Sequence, residues 1–246
     1  MASIALITGV SVLLTSFVSA ALGMGGGMIM MGIYAWIFPV AGAMVVHGMT
    51  QLCANSFRGF LLWRHIYWRG IGWYTLGMSV STAILLAAQI VLAKYQLFLL
   101  LGAIPFLNLI PKLPRFDFAR NKDALACGFV VTFAQLTAGI SGPLLDIFFI
   151  RGSLDRFSVV ATKSVTQSAG HLVKIAYYGP LFMAMEESAA LNLNLVLIIL
   201  TTSILGTWLG RHVLERLPEQ HFRGLCTSTL LVVGSVYLYR GLQIMA

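Results

Sequence analysis

The chain has 246 residues, of which 59% are hydrophobic and 10% are charged. This is more apolar surface than one soluble core can hide, so the composition excludes an ordinary soluble domain and indicates a multi-pass membrane protein. The formal net charge is +8, but the basic residues mostly flank apolar runs, which favours membrane orientation over nucleic-acid binding. Three isolated cysteines without a C-x-x-C motif indicate neither a disulfide framework nor a metal site, and we expect no cofactor.

Ten apolar segments follow one another and are predicted to be helices, which gives an all-α polytopic membrane fold. They cover approximately residues 4–22, 28–38, 42–63, 71–92, 96–111, 124–139, 142–150, 157–178, 190–210 and 221–240. Segments 28–38 and 142–150 hold about ten residues each, and at ~1.5 Å rise per residue they reach ~15 Å, half of the hydrocarbon core. Each is predicted to pair with the preceding segment as a re-entrant hairpin.

The basic residues at the segment ends predict the orientation in the membrane. One threading places Lys94 and Arg240 on one side and eleven basic residues on the other. The side with eleven is predicted to be cytoplasmic, because Lys and Arg are enriched in cytoplasmic loops. We therefore expect a multi-pass protein of the cytoplasmic (inner) membrane. The eleven residues are Arg64, Arg69, Lys112, Arg115, Arg120, Lys122, Arg151, Arg156, Arg211, Arg216 and Arg223.

The sequence contains an internal repeat at an offset of 116 residues, which aligns "GMGG" at 23–26 with "GISG" at 139–142. We predict two repeats, residues 1–111 and 124–246, joined by a cytoplasmic linker, residues 112–123. Each repeat has one broken-helix hairpin and three transmembrane helices, and this odd number of crossings inverts the second copy relative to the first. Inverted repeats with broken helices near the midplane are typical of secondary transporters, although a channel also fits.

A polar stripe lies on one face of the long helix that follows each hairpin. Positions i, i+4, i+8 and i+11 fall within an arc of ~80° at ~100° per residue. Ionisable groups at membrane depth cost ~2.5 kcal/mol or more unless they face an aqueous cavity or a partner, so two stripes indicate a lined pathway. The alternatives are interhelical hydrogen bonds or, for the stripe residues near a helix end, side chains that reach the membrane surface. The first stripe is His47, Gln51, Asn55 and Arg58, its mates under the offset are Lys163, Gln167, His171 and Lys174, and Thr50 aligns with Thr166.

The two glycine turns provide the other half of a predicted site. They let the backbone break inside the membrane and expose amide N–H groups and the positive ends of the half-helices that follow. Backbone donors and helix dipoles that converge with cationic side chains favour an anion, so the predicted ligand is a small anion. The turn residues expected at this site are Gly25, Gly26, Ser141 and Gly142.

Asp146 is a carboxylate inside the second short segment. One interpretation is a proton or cation site that couples transport, although its counterpart under the offset, Met30, is apolar. The other interpretation, which we favour, is a structural ion pair with Lys163 or Lys174.

These motifs resemble the sulfite exporter TauE/SafE family of membrane transporters. The resemblance rests on the Gly-rich "ALGMGGGMIMM" after the first apolar segment, its echo "AGISGPLLDIFF", and the "TQ"-bearing helix after each, and it covers essentially the whole chain. It implies export of sulfite, sulfoacetate or another organosulfonate across the cytoplasmic membrane. We accordingly expect alternating access with proton coupling. Hydrogen bonds to the substrate would come from Thr50, Gln51, Thr166 and Gln167, and positive charge from His47, Arg58, Lys163, His171 and Lys174.

Two other functions stay open from the sequence. A passive anion channel would have neither a coupling ion nor alternating access. An intramembrane serine protease would use Ser141 and His171 as a Ser-His dyad, but these residues align with Gly25 and Asn55 as parts of the repeat. The expected partners are a small anionic substrate and the lipid bilayer, not nucleic acid, and the oligomeric state is left open.

Overall fold

A computed structural model of the chain describes residues 2–22, 26–109, 116–149, 152–186, 188, 191–214 and 219–246. Within these ranges the chain forms α-helices and short 3₁₀ turns and no strand, so the all-α prediction is confirmed. The helices are α1 (Ala2–Leu22), α2 (Gly26–Ile37), α3 (Val40–Leu61), α4 (Trp68–Ala88), α5 (Lys94–Ala103), α6 (Asn121–Ala138), α7 (Gly142–Phe149), α8 (Arg156–Met183), α9 (Leu193–Leu214) and α10 (Glu219–Met245).

Each of these ten helices coincides with one of the predicted apolar segments, and the largest departure is in α5. The apolar run 96–111 is predicted as one helix, but α5 ends at Ala103 and the chain continues as a 3₁₀ helix, Ile104–Leu109. Pro105 supplies the reason, because proline lacks the N–H that the next turn of an α-helix requires. The apolar run is therefore helical throughout, but as two different kinds of helix.

The outer surface of the helices is apolar. By length and composition, two helices among the described residues can cross a membrane, Trp68–Ala88 and Leu193–Gly210, and shorter apolar helices accompany them. Large apolar side chains such as Leu6, Trp208 and Val232 are exposed. An apolar outer surface around a partly polar interior is the arrangement expected for a chain whose solvent is lipid.

Four helix pairs make most of the interhelical contacts: α1 with α9, α3 with α8, α4 with α6, and α5 with α10. In the pair of α4 and α6 the backbones approach closely at two glycines. A Cβ atom added to Gly77 would lie 2.1 Å from the Leu125 carbonyl oxygen, and one added to Gly128 would lie 2.0 Å from the Tyr74 carbonyl oxygen. Small residues at such crossings allow the close packing that holds helices together in lipid.

The half-helices begin at the glycine turns. In the second turn Gly139 ends α6 with a φ of 78°, a left-handed conformation in which glycine carries no Cβ penalty. The Leu145 amide donates to the Ser141 carbonyl (2.9 Å), which starts α7. Pro143 is the second residue of α7, within the first turn, where a missing N–H breaks no helical hydrogen bond. In the first turn α2 begins at Gly26, while Gly23 and Gly25 lie outside the described residues.

We expect Gly128→Val to destabilise the protein by about 2 kcal/mol or more, since the added side chain meets the backbone of α4 and must push the two helices apart. Thermal unfolding of the detergent-purified protein, followed by size-exclusion chromatography, measures this loss. The matched control is Gly72→Ala on the exposed face of α4, where an added Cβ has no neighbour within 4 Å among the described residues. Equal thermal stability of the two variants would contradict the packing role of Gly128.

Candidate anion site

The third and eighth helices pack side by side and run antiparallel. Two hydrogen bonds fix their register: Ser56 Oγ to Ser168 Oγ (3.2 Å) near one end and Lys174 Nζ to His47 Nδ1 (2.6 Å) near the other. Arg58 and Lys163 therefore lie towards the same end of the helix pair. The two predicted stripes face each other across this contact.

Between the stripes lies a cavity that offers ≈ 40 Å³ to the centres of water-sized molecules. It is formed by residues of both stripes, by both half-helix starts and by α1. The lining residues are Ser19, Gly27, Met28, His47, Gln51, Asn55, Arg58, Ile140, Ser141, Gly142, Pro143, Lys163, Gln167 and His171. The structure thus brings together most of the residues predicted from the two stripes and the two glycine turns.

Both half-helices point their N-terminal ends into this cavity. Gly27 and Met28 belong to the first turn of α2, and Gly142 and Pro143 to the first turn of α7. The first N–H groups of a helix have no partner within the helix, and the helix dipole places partial positive charge there. Two such ends at one cavity create an electropositive region without any side chain.

The wall formed by α3 is polar and tightly packed. An added Cβ at Gly27 would lie 3.3 Å from Gln51 Nε2, so glycine lets the Gln51 amide approach the backbone of α2. Asn55 Nδ2 donates to the Gln51 carbonyl (2.9 Å), which fixes the Asn55 amide. These amides are buried, and Arg58 continues the wall beyond them.

The wall formed by α8 contains an ion pair. Lys163 Nζ donates to Asp146 Oδ1, which joins α8 to α7. Both side chains are largely buried, at 15% and 5% exposed. The ion pair expected for Asp146 is present, with Lys163 rather than Lys174 as the partner.

Two buried polar atoms on the cavity wall have no hydrogen-bond partner among the described residues. They are His171 Nδ1 and Ser141 Oγ. Buried polar groups are normally hydrogen-bonded, so these two atoms are free to bond a ligand or a water in the cavity. The same observation separates Ser141 from His171, since a protease dyad needs a hydrogen bond between them.

Lys174 lies behind the cavity rather than on its wall. Its ammonium group is fully buried and donates to the Gly139 carbonyl (3.0 Å) and to His47 Nδ1 (2.6 Å). His47 in turn places Nε2 2.8 Å from the Gly27 carbonyl. One chain of hydrogen bonds therefore connects both glycine turns through α3 and α8.

Three of the remaining predicted residues, Thr50, Thr166 and Gly26, are not among the residues that line the cavity. The Thr50 hydroxyl donates to the Val46 carbonyl and the Thr166 hydroxyl to the Lys163 carbonyl, both at 2.9 Å, so each is bonded to its own helix. Gly26 packs against α1, where an added Cβ would lie 2.0 Å from the Thr15 carbonyl oxygen. Gly25 falls outside the described residues.

Ser19 on α1 is a lining residue that the stripes did not predict. Under the offset of 116 it aligns with Gln135 on α6, so both copies carry a polar residue one turn before the glycine turn. That match was visible in the sequence. Gln135 itself is buried against Gly170, where an added Cβ would lie 2.3 Å from Gln135 Oε1.

Comparison with known proteins agrees with the geometry. The model of the family described as "Sulfite exporter TauE/SafE" matches residues 8–237, nearly the whole chain. No curated protein and no solved structure matches the chain. The resemblance noted in the glycine turns is thereby confirmed. Members of this family are transporters rather than enzymes, which removes the protease alternative. The chain is a membrane protein that belongs to the TauE/SafE sulfite exporter family.

Proposed function

We propose that this chain is a secondary transporter of a small sulfur oxyanion, such as sulfite, sulfoacetate or another organosulfonate, across the cytoplasmic membrane. The family makes it a membrane exporter of sulfite or a related anion. The particular substrate, alternating access, proton coupling and the inner membrane are our proposal. The observation that carries it is the convergence of two half-helix N-termini with Arg58 and Lys163 on one cavity.

The charge around the cavity supports an anionic ligand. The one salt bridge among the described residues is Lys163–Asp146, so these two charges largely cancel. Arg58 lines the cavity without a carboxylate partner within the same residues. A bound anion would be its counter-ion and would also accept hydrogen bonds from the first-turn amides of α2 and α7.

The size of the cavity favours a small oxyanion. A water molecule needs on the order of 10–15 Å³ of such space, and the cavity offers ≈ 40 Å³. That is room for roughly three waters, a size that favours an anion of few atoms. Sulfite fits these limits in the conformation described, whereas a longer organosulfonate requires a wider opening of the cavity.

The helix contacts support two repeats, residues 1–111 and 124–246, around the linker 112–123. If each helix is exchanged for its counterpart in the other repeat, α1 becomes α6 and α9 becomes α4. The α1–α9 contact then becomes the α6–α4 contact, and both are among the four main pairs. The other two pairs, α3–α8 and α5–α10, are unchanged by this exchange. Such a pattern is expected if the two halves are related by a two-fold axis, as in transporters with inverted repeats.

Alternating access would follow from rocking of one repeat against the other, with the two glycine turns as hinges. The cavity lies at the contact between α3 of the first repeat and α8 of the second, which together supply half of its lining residues. The basic residues favour the cytoplasmic side for the linker, which supports insertion in the inner membrane with both termini on the opposite side.

Transport in proteoliposomes tests the proposal. We expect saturable counterflow of radiolabelled sulfite that unlabelled sulfite competes for, and uphill accumulation when a pH gradient is imposed. Parallel measurements with sulfoacetate and sulfate identify the substrate class. Flux that runs only downhill and does not saturate would establish the channel alternative instead.

Arg58→Gln should weaken sulfite binding by roughly 10- to 100-fold, because a hydrogen bond to a charged group contributes about 1.5–3 kcal/mol. Titration calorimetry on the purified protein measures the affinity. The matched control is Arg64→Gln, which removes an exposed guanidinium that lies over the Trp63 ring. If both variants bind sulfite as the wild type does, Arg58 only reaches towards the membrane surface.

Removing either member of the Lys163–Asp146 pair should change the affinity for sulfite, in opposite directions. Lys163→Gln leaves an unpaired carboxylate beside the cavity and should weaken sulfite binding at least about tenfold. Asp146→Asn frees the ammonium group and should strengthen binding, while the double variant should fall between the two. Calorimetry on the wild type and the three variants completes a double-mutant cycle, which measures the coupling between the two side chains. Equal affinities throughout would place the pair outside the anion site.

A further inference from the structure

Three basic side chains meet at the end of the cavity away from Arg58 and Lys163, and the proposed transport function assigns them no separate role. His47 and His171 line the cavity, with their ring centroids 5.4 Å apart at an angle of 67°. Lys174 lies behind them, 0% exposed, and donates to His47 Nδ1. We call His47, His171 and Lys174 the basic cluster.

Within the basic cluster, one proton can be bonded either to His47 Nδ1 or to Lys174 Nζ. The Gly27 carbonyl can only accept, so His47 Nε2 carries a hydrogen. A single hydrogen then lies between His47 Nδ1 and Lys174 Nζ, 2.6 Å apart. When it is bonded to Nζ, the positive charge is on Lys174 behind the wall. When the Nζ–H bond breaks and an Nδ1–H bond forms, the charge is on His47 at the cavity.

No carboxylate in the described part of the chain pairs with this charge. The one salt bridge among the described residues uses Asp146 for Lys163, at the other end of the cavity. A buried cation without a counter-ion is costly in a low-dielectric interior. The other charged side chains on the cavity wall are Arg58 on α3 and Lys163 on α8, and Asp146 on α7 is paired with Lys163.

An anion in the cavity would supply the missing negative charge. Its binding would favour protonation of the adjoining cluster, and protonation would favour the anion to the same extent, because the coupling between two binding sites is reciprocal. His171 gives the cluster a position for this proton, because a neutral imidazole keeps one ring nitrogen without a hydrogen. Its Nδ1 is buried, belongs to a residue of the wall, and has no hydrogen-bond partner among the described residues. A proton that enters from the solvent would bond to the free nitrogen and convert the ring to an imidazolium.

Aligning the two repeats by their offset indicates that one half of the site can gain or lose a proton and that the other half cannot. Under it His171 aligns with Asn55, which cannot be protonated, and Lys174 aligns with Arg58, which stays charged. The half of the site near Arg58 therefore has a fixed charge. The half near His171 can gain or lose a proton.

We propose that the basic cluster is a proton-binding site that is loaded together with the anion in the adjoining cavity, so that one proton accompanies each anion. This inference rests on the proposed transport function. It assigns the coupling proton to the cluster and leaves Asp146 as the ionised partner of Lys163.

The experiment counts protons taken up on anion binding by the full-length protein in detergent. Calorimetric titrations with sulfite are repeated in buffers of different ionisation enthalpy, and methanesulfonate is titrated in parallel because this anion does not itself take up a proton near neutral pH. We expect uptake of about one proton per anion and, by linkage, an affinity that falls about tenfold for each unit that the pH rises above neutral.

Variants locate the proton. His171→Asn, which introduces the residue of the other repeat, and Lys174→Met, which removes the shared hydrogen bond, should each lower proton uptake to less than half of the wild-type value. His65→Asn is the matched control, since His65 is exposed in the short 3₁₀ helix after α3 and should leave uptake unchanged. Asp146→Asn should also retain the uptake. If Lys174→Met does not fold, the wild-type proton count and His171→Asn still decide the question.

The outcomes distinguish the two proposals. Saturable binding of either anion without proton uptake would overturn the cluster as the proton site while the transport function stands. Uptake that is lost in Asp146→Asn and kept in His171→Asn would assign the proton to Asp146 and would also overturn the inference. No binding of sulfite and no flux in proteoliposomes would overturn the proposed function, and the inference with it.

Discussion

In lipid, every backbone N–H, every carbonyl and every charge must find a partner within the protein or face a water-filled space. This constraint explains why the polar features of the chain coincide. A helix broken at Gly139 can lie at membrane depth only where its free ends are satisfied. Here the Lys174 ammonium group donates a hydrogen bond to the Gly139 carbonyl, and the first residues of α7 line the cavity. The breaks, the charged side chains and the cavity are therefore three consequences of one requirement.

The contact between α3 and α8 provides partners for polar and charged side chains from both halves of the chain. It places Lys174 opposite His47 at one end, and under the offset between the repeats the corresponding pair is Arg58 and Lys163. The two ends of the cavity are thus built from the same positions with different chemistry. At the first end a histidine accepts the hydrogen bond of a lysine. At the second end Lys163 is paired with Asp146, and Arg58 has no carboxylate partner among the described residues.

Much of the fold and part of the site followed from the sequence, because apolar length, glycine turns and helical periodicity leave direct traces in it. The ten helices and the meeting of the two stripes are of this kind. Thr50 is a different case. At ~100° per residue it lies ~60° to one side of His47, beyond the stripe, and its hydroxyl instead bonds the carbonyl of Val46. The depth of Lys174 behind the wall could not be predicted, because it depends on the register between two helices rather than on either sequence alone.

The asymmetry of the repeats bears on how such a site can work. If both copies carried only fixed charges, protonation could not change the affinity of the cavity for an anion, and a ligand bound equally well in two states shifts neither. A site in which one half changes its charge can bind the anion strongly in one protonation state and weakly in the other. The substitution of Asn55 by His171, and of Arg58 by Lys174, between the two copies provides that difference. On the proposed coupling, divergence at two positions of a duplicated helix would make binding and release distinct states of the same cavity.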